Sequence, residues 1–330
     1  MERRTPGRRL DSTMLWCVLL LLPLATTALA QTPDSHPETH RVQREQWFLR
    51  GRTLPGQPAA ELLRRAHAQK LALRAARAAN ASNPPSQNSS AWSSLGPAPL
   101  ASDASGVGQQ NYNWVSGRAT AVAIDPTDPT ANTVYLGGAY GGVWKSTNAA
   151  TQSPGNVAWT PLIDDQATLA VGAIAIQPGG TGVIVVGTGE ANSSTDSYYG
   201  LGILYSPDAG TTWTLIPSDI TGTRSFAGMA FSKITFSVAN PLLAVAATAG
   251  ASQGIIEGLA DPVTANLGLY TSADGGNTWT YATINDGNIA IDPGSASAVI
   301  YNAGAGLFLC RASLSRLLFF TRRPQLDAPC

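Results

Sequence analysis

The stretches Ser206-Pro-Asp208-Ala-Gly210-Thr-Thr-Trp213 and Ser272-Ala-Asp274-Gly-Gly276-Asn-Thr-Trp279 are two copies of one pattern, Ser-x-Asp-x-Gly-x-x-Trp. Each follows an apolar run of strand character, Gly202-Ile-Leu-Tyr205 in the first copy and Gly268-Leu-Tyr-Thr271 in the second. The pattern spells a tight reversal between two strands. A short Asp carboxylate accepts bonds from backbone N–H groups about two residues ahead and closes the turn on itself. Glycine follows because the reversal needs a positive φ, which costs a residue with a Cβ about 1–2 kcal/mol. Trp213 and Trp279 are expected to fold back beneath the turn and bury their rings, with Ser206 and Ser272 each adding a local bond. All of Ser206, Asp208, Gly210, Trp213, Ser272, Asp274, Gly276 and Trp279 are therefore structural candidates, and neither Asp is assigned acid–base chemistry.

Working outward, the boxes belong to a longer repeat. Residues 119–126, 171–178 and 288–293 share one alternating pattern that ends in proline and reads as a first strand. Second strands follow at 133–137, 182–187 and 298–301, with 241–245 in that role in the third unit. Third strands run at 142–146, 202–206 and 268–272 into the turns, and a fourth leaves through the tryptophan. Four antiparallel strands at a period of about 45–65 residues make a propeller blade. The expected fold is thus all-β, a β-propeller of four-stranded antiparallel blades with about three and a half blades present. In the first unit Ser146, Asn148 and Trp159 form a degenerate box stretched by an insertion at 150–157, and the third unit carries a long insertion at about 247–265.

The repeat resembles the BNR or Asp-box propellers, the group of the sialidases, the sortilin-type luminal domain and the xyloglucan-cleaving glycoside hydrolases. It is most similar to secreted bacterial members built from units such as Arg118-Ala-Thr-Ala-Val-Ala-Ile-Asp-Pro-Thr-Asp-Pro129 followed by Gly141-Gly-Val-Trp-Lys-Ser-Thr147. The resemblance covers residues 113–308 and specifies fold far more than activity. In the xyloglucan-cleaving relatives a catalytic Asp precedes a Gly-Gly pair in the first blade; here Ala139 stands at that place in Gly137-Gly-Ala-Tyr-Gly-Gly142. Sialidases grip their substrate with three arginines and a Tyr–Glu pair, whereas the blade region offers Arg118 and Arg224. The resemblance therefore implies a secreted binding or interaction module, a piece of a larger extracellular protein, with a glycan or an extracellular protein as ligand. The alternative is a glycoside hydrolase whose catalytic carboxylates lie partly outside this chain, and a third reading is a sortilin-like peptide binder.

The richest polar loop is 187–200, Gly-Thr-Gly-Glu190-Ala-Asn192-Ser-Ser-Thr-Asp196-Ser-Tyr198-Tyr199-Gly. Glu190, Asn192 and Asp196 could give hard oxygen ligands to calcium, the one cofactor considered. The same three could line a sugar site with Tyr198 and Tyr199 as stacking surfaces. The structural reading is that Glu190 and Asp196 pin the loop to its own backbone.

Residues 1–30 have the basic, short apolar and small-residue segments of a signal peptide, with arginines at 3, 4, 8 and 9. Residues 31–103 read as a helical pro-segment and an Asn/Ser/Pro-rich linker, 104–309 as blades, and 310–330 as an atypical tail. The tail lacks a further turn box and suggests a frameshift or truncation. The expected location is secreted or periplasmic, without a stable membrane anchor after cleavage. The formal charge is zero and the charged fraction is 13%, which gives no basic surface for nucleic acid. Beyond the signal only Cys310 and Cys330 remain, so disulfides are not the scaffold.

Overall fold

A computed structural model of the protein describes residues 54, 56–79, 100–101, 114–115, 117–192, 197–251, 265–286, 289–291, 294–312 and 317–320. The proposed signal peptide, Asp196 and Cys330 lie outside these residues. Helix α1 (Ala59–Ala79) comes first, then the short antiparallel pair β1 (Leu100–Ala101) and β2 (Trp114–Val115). Only the start of α1 is buried: Ala60 and Leu63 join the core beside Phe226 and Leu201, and His67 Nε2 lies 2.7 Å from the Asp165 carbonyl oxygen.

Three four-stranded antiparallel blades follow. The first is β3 (Ala119–Ile124), β4 (Val134–Gly138), β5 (Val143–Ser146) and β6 (Thr160–Pro161), paired in that order. The second is β7 (Val171–Ile176), β8 (Ile184–Thr188), β9 (Ile203–Ser206) and β10 (Thr214–Ile216). The third is β11 (Met229–Phe236), β12 (Ala244–Gly250), β13 (Leu269–Ser272) and β14 (Thr280–Tyr281). A hairpin of β15 (Ile284–Asp286) and β16 (Ile289–Ile291) precedes a three-stranded sheet of β17 (Ala296–Asn302), β18 (Leu307–Ala312) and β19 (Leu317–Phe320). Meandering four-stranded sheets stacked through their inner strands are the architecture of a partial β-propeller.

One joint is repeated between successive sheets. The first strand of each carries a β-bulge at the same register, between Ala119 and Ala121, Val171 and Ala173, Phe231 and Lys233, and Ala296 and Ala298. The bulged residue in the first blade, Thr120, donates its hydroxyl to Gly137 O at 3.1 Å within its own blade and to Val171 O at 2.6 Å in the next. Ser232 repeats this in the third blade, reaching Ala247 O at 3.1 Å and Ala296 O at 2.6 Å. The second blade uses Gly172 instead, where a Cβ would stand 2.2 Å from Phe231 O, so the missing side chain lets the next blade's backbone come in directly. Beside the bulge the second strands carry Gly137 and Gly187, whose Cβ positions would lie 2.4 Å from Val171 Cγ1 and 2.3 Å from Phe231 Cβ.

A cross-strand apolar ladder fills each joint. In the second blade it is Ile174, Val186, Leu204 and Leu215, packed on Tyr135, Val143 and Ile163 of the first. In the third it is Ile234, Ala246, Tyr270 and Tyr281, packed with Val185 and Ile203 of the second. In the last sheet Val299 and Cys310 meet Val245, Ala247 and Leu269. Burial pushes the Cys310 thiol up to about 12, which makes it a core residue with almost no thiolate at neutral pH.

The strand assignments are corrected at two places. The third blade opens on β11, which the shared first-strand pattern did not mark, and β12 extends to Gly250, so residues 247–250 are strand and not insertion. Residues 288–293 do not begin the last sheet: β16 pairs with β15, and β17, expected as a second strand, occupies the first-strand place. The reason is packing, since Ala296 O takes the bond from Ser232 and Val299 enters the core of the third blade. The start of the expected tail continues as β18 and β19.

At the turns, Ser206 Oγ donates to Asp208 Oδ1 at 2.9 Å and accepts the Gly210 N–H at 2.9 Å. Asp208 accepts the Thr212 N–H at 2.8 Å and its hydroxyl at 2.7 Å, and Trp213 Nε1 donates to Gly210 O at 3.0 Å. The second turn repeats these bonds through Ser272, Asp274, Gly276, Thr278 and Trp279. Gly210 and Gly276 have φ of 90° and 94°, where glycine is the unstrained choice. In the first blade Asn148 Oδ1 accepts the Ala158 N–H at 2.9 Å across the insertion, and Trp159 remains exposed.

For Asp274, partial burial opposes ionisation, but bonds from Thr278, Ser272 and Asn277 outweigh it and hold the carboxyl below the usual range. A carboxyl whose pKa is depressed by folding adds stability that is complete above its unfolded pKa of about 3.9 and is lost as the pH falls through the folded value. Asp274→Ala is therefore expected to cost about 1–2 kcal/mol at neutral pH. Denaturant unfolding at successive pH values should show the gap from wild type narrowing below about pH 4. A gap that stays constant into strong acid would contradict the role given to the carboxylate.

Candidate functional site

Antiparallel pairing places the β4–β5, β8–β9 and β12–β13 connections at one edge of the stacked sheets and the Ser-x-Asp turns at the opposite edge. Gly187 and Thr188 of the expected 187–200 loop belong to β8, and the described residues that follow, 189–192 and 197–202, leave β8 and enter β9 at the first of these edges, together with Arg118 at the entrance to β3. The loop is pinched at its base. Gly189 donates to Ala170 O at 2.9 Å, Gly200 to Met229 O at 2.7 Å, and Glu190 N to Tyr198 O at 2.9 Å. The buried Thr188 hydroxyl donates to Gly202 O and accepts the Leu201 and Gly202 N–H groups. Thr248 makes the matching contacts with Gly268 in the third blade.

Glu190 is only 1% exposed, and it does not bond its own loop alone. Arg118 Nε donates to Oε1 at 2.7 Å and Arg118 Nη2 to Oε2 at 2.6 Å, a two-point pairing that joins the first and second blades. The planar guanidinium matches the carboxylate in this fork geometry. Asn192 Nδ2 adds a bond to Oε1 at 2.5 Å while the residue itself stays exposed. Both carboxylate oxygens are thus engaged by a cation of the protein. Among the described residues no group of three or more His, Cys, Asp or Glu side chains could hold a metal ion.

The aromatic residues divide. Tyr198 stacks on Tyr140 of the β4–β5 connection, with ring centroids 4.1 Å apart and planes 24° from parallel. Tyr140 is 46% exposed, so the pair forms a platform across the same two blades. Tyr199 packs against the core and is part of the wall, not of the platform. Tyr140 was not marked in the sequence because its partner lies in another blade; the Gly-Gly-Ala-Tyr-Gly-Gly context was the available signal. Ala139 donates its N–H to Arg118 O at 2.9 Å and is 9% exposed, so a small apolar residue stands next to Tyr140. The Ser197 hydroxyl is fully buried at the loop and has no hydrogen-bond partner among the described residues.

The site thus combines a neutralised, rigid ion pair, an exposed amide and an exposed tyrosine face. The Glu190 carboxyl at the centre of the site is held by Arg118. Among the described residues no helix is long and apolar enough to cross a membrane.

No protein-family model matches the sequence, and no curated protein matches it. Among solved structures it is similar to an ancestral GH74 enzyme, with 22% identity over 59% of this chain and 22% of that one and a TM-score of 0.43. The GH74 enzyme of Niastella koreensis gives 19% identity over 60% and 27% of the two chains at a TM-score of 0.39. YCF48 from Cyanidioschyzon merolae gives 16% over 60% and 50% at 0.35. The chain thus covers at most half the length of these structures, all of them propeller proteins.

Proposed function

We propose that the chain is part of a secreted Asp-box propeller and acts as a binding module, taking a neutral glycan on the edge shared by its first two blades. The observation that carries this reading is the Tyr140–Tyr198 stack bridging those blades beside the Arg118–Glu190 pair. An exposed tyrosine face stacks on the C–H face of a pyranose, and the Asn192 amide supplies both a donor and an acceptor for hydroxyls. Among the described residues of the platform, the charge of Glu190 is offset by that of Arg118. The Ser-x-Asp-x-Gly-x-x-Trp turns, at the far edge, serve the fold.

Titration of the intact protein with a panel of neutral oligosaccharides and of extended peptides tests the reading. Binding of at least one oligosaccharide is expected, and Tyr140→Ala should weaken it at least about tenfold, the loss of one stacking contact, with an unchanged melting temperature. Binding of peptides alone, or saccharide binding indifferent to Tyr140→Ala, would overturn it.

A further inference from the structure

The formal charge of the whole chain is zero, but its parts are of opposite sign. Residues 113–308 carry 13 Asp and Glu against four Lys and Arg. Helix α1 carries five Lys and Arg against one acid, Glu61 in its first turn. Arg64 Nη2 and Arg65 Nε lie 2.5 and 3.8 Å from the Glu61 carboxylate, and Arg65 also donates to Gln57 Oε1 at 2.6 Å. No acid follows in the helix, and among the described residues Lys70, Arg74 and Arg77 have no carboxylate at ion-pair distance.

These three cations form one line. They recur at i, i+4 and i+7, on one side of a helix of 3.6 residues per turn, and span about 10 Å of its axis. His67 stands one turn earlier on the same side, with Nε2 at 2.7 Å from the Asp165 carbonyl oxygen, and Ala60 and Leu63 are packed in the core. The helix is thus held at its start, while residues 68–79 are exposed throughout. The docked first turns supply the nucleus that an isolated helix lacks, and seven alanines within 66–79 keep the exposed length helical without packing. Leu71 and Leu73, 45% and 61% exposed, fall on opposite flanks of the basic line, about 160° apart around the axis. The exposed length therefore has no apolar face with which to enter a lipid surface.

We infer that the exposed part of α1 is a second binding element, which takes an acidic polysaccharide along Lys70, Arg74 and Arg77. Charge complementarity selects the class: cations repeated along a rigid axis match a polymer that repeats its carboxylates or sulfates. The guanidinium forks of Arg74 and Arg77 suit two-point bonds to either group. The acidic blades repel such a polymer and confine it to the helix. The missing apolar face argues against a membrane, and the reading of the chain as exported, on which the inference rests, argues against nucleic acid. The Tyr140–Tyr198 platform takes no part in it.

Fluorescence anisotropy of labelled heparin oligosaccharide and of labelled oligogalacturonate, each titrated with the intact chain at several salt concentrations, tests the inference. Binding of at least one is expected, weakening as salt rises. Lys70→Gln, Arg74→Gln and Arg77→Gln combined should weaken it at least about tenfold with unchanged circular dichroism, because Gln is as good a helix former as Lys and Arg. Tyr140→Ala should leave it unchanged, which separates this element from the platform. Absence of binding to both probes, or binding indifferent to the triple variant, would overturn the inference. So would an equal loss in Tyr140→Ala, which would put the polymer on the platform, or tighter binding to phosphatidylglycerol vesicles or to duplex DNA than to either polysaccharide.

Discussion

Gly172→Ala is expected to destabilise the chain by at least about 3 kcal/mol. The added Cβ would stand 2.1 Å from Gly189 O and 2.2 Å from Phe231 O. Both atoms are backbone of strands or loop bases tied by their own hydrogen bonds, so neither can swing away as a side-chain end would. Relief requires β7 to draw away from the end of β8 within its own blade and from the third blade, which opens the layer holding Phe231, Ile234 and Val185. Thr120→Ala is the matched control. It removes a hydroxyl that two carbonyls share, with no collision, and should cost about 1 kcal/mol. Denaturant midpoints of the two variants measure the contrast. Equal losses would mean that the bulge position is not the hinge between blades.

Arg118→Ala is expected to cost about 3 kcal/mol, because it removes both guanidinium donors from a carboxyl that is 1% exposed. Asn192 alone cannot replace a bidentate guanidinium. Glu190→Gln should cost less, since the amide oxygen keeps one acceptor and Arg118, 42% exposed on its side chain, can turn to water. The double variant Arg118→Ala with Glu190→Gln should recover part of the loss. A cycle of the four proteins by chemical denaturation measures this coupling; strictly additive changes would show that the pair does not lock the two blades. The same variants should also weaken glycan binding, since Tyr140 and Tyr198 sit on the blades that the pair joins.

The sequence patterns carried the blades where local chemistry repeats. Alternation ending in proline marks β3 and β7, and the Ser-x-Asp-x-Gly-x-x-Trp turns mark the exits of β9 and β13, because a turn satisfies its own backbone within eight residues. The pattern failed where a neighbour decides. In β11, Lys233 and Thr235 replace the small alanines of β3 and β7, so the strand lacks the repeated signature; what makes it a first strand is Phe231 and Ile234 entering the second blade's face. The choice between residues 288–293 and β17 was likewise settled by the Ser232 bond and by Val299, neither visible in a window of adjacent residues. At the candidate site Glu190 and Asn192 stood out as polar residues in a long loop. The partner of Glu190, Arg118, lies 72 residues away, and Tyr140 lies on another blade, so the pairing that defines the edge is a property of the stack.

Amide hydrogen exchange on the intact wild-type chain and on Gly172→Ala tests the repeated joint most directly. In the wild type the slowest amides should fall in β7, β8, β11 and β12, with the Gly210 and Gly276 amides protected by Ser206 and Ser272, and with the exposed Gly155 amide exchanging fast. In Gly172→Ala, protection should drop together in β7, β8, β11 and β12 while β3 and β4 change least. Uniformly fast exchange across β7–β12 in the wild type, or a Gly172→Ala effect confined to the residues next to the substitution, would contradict the account.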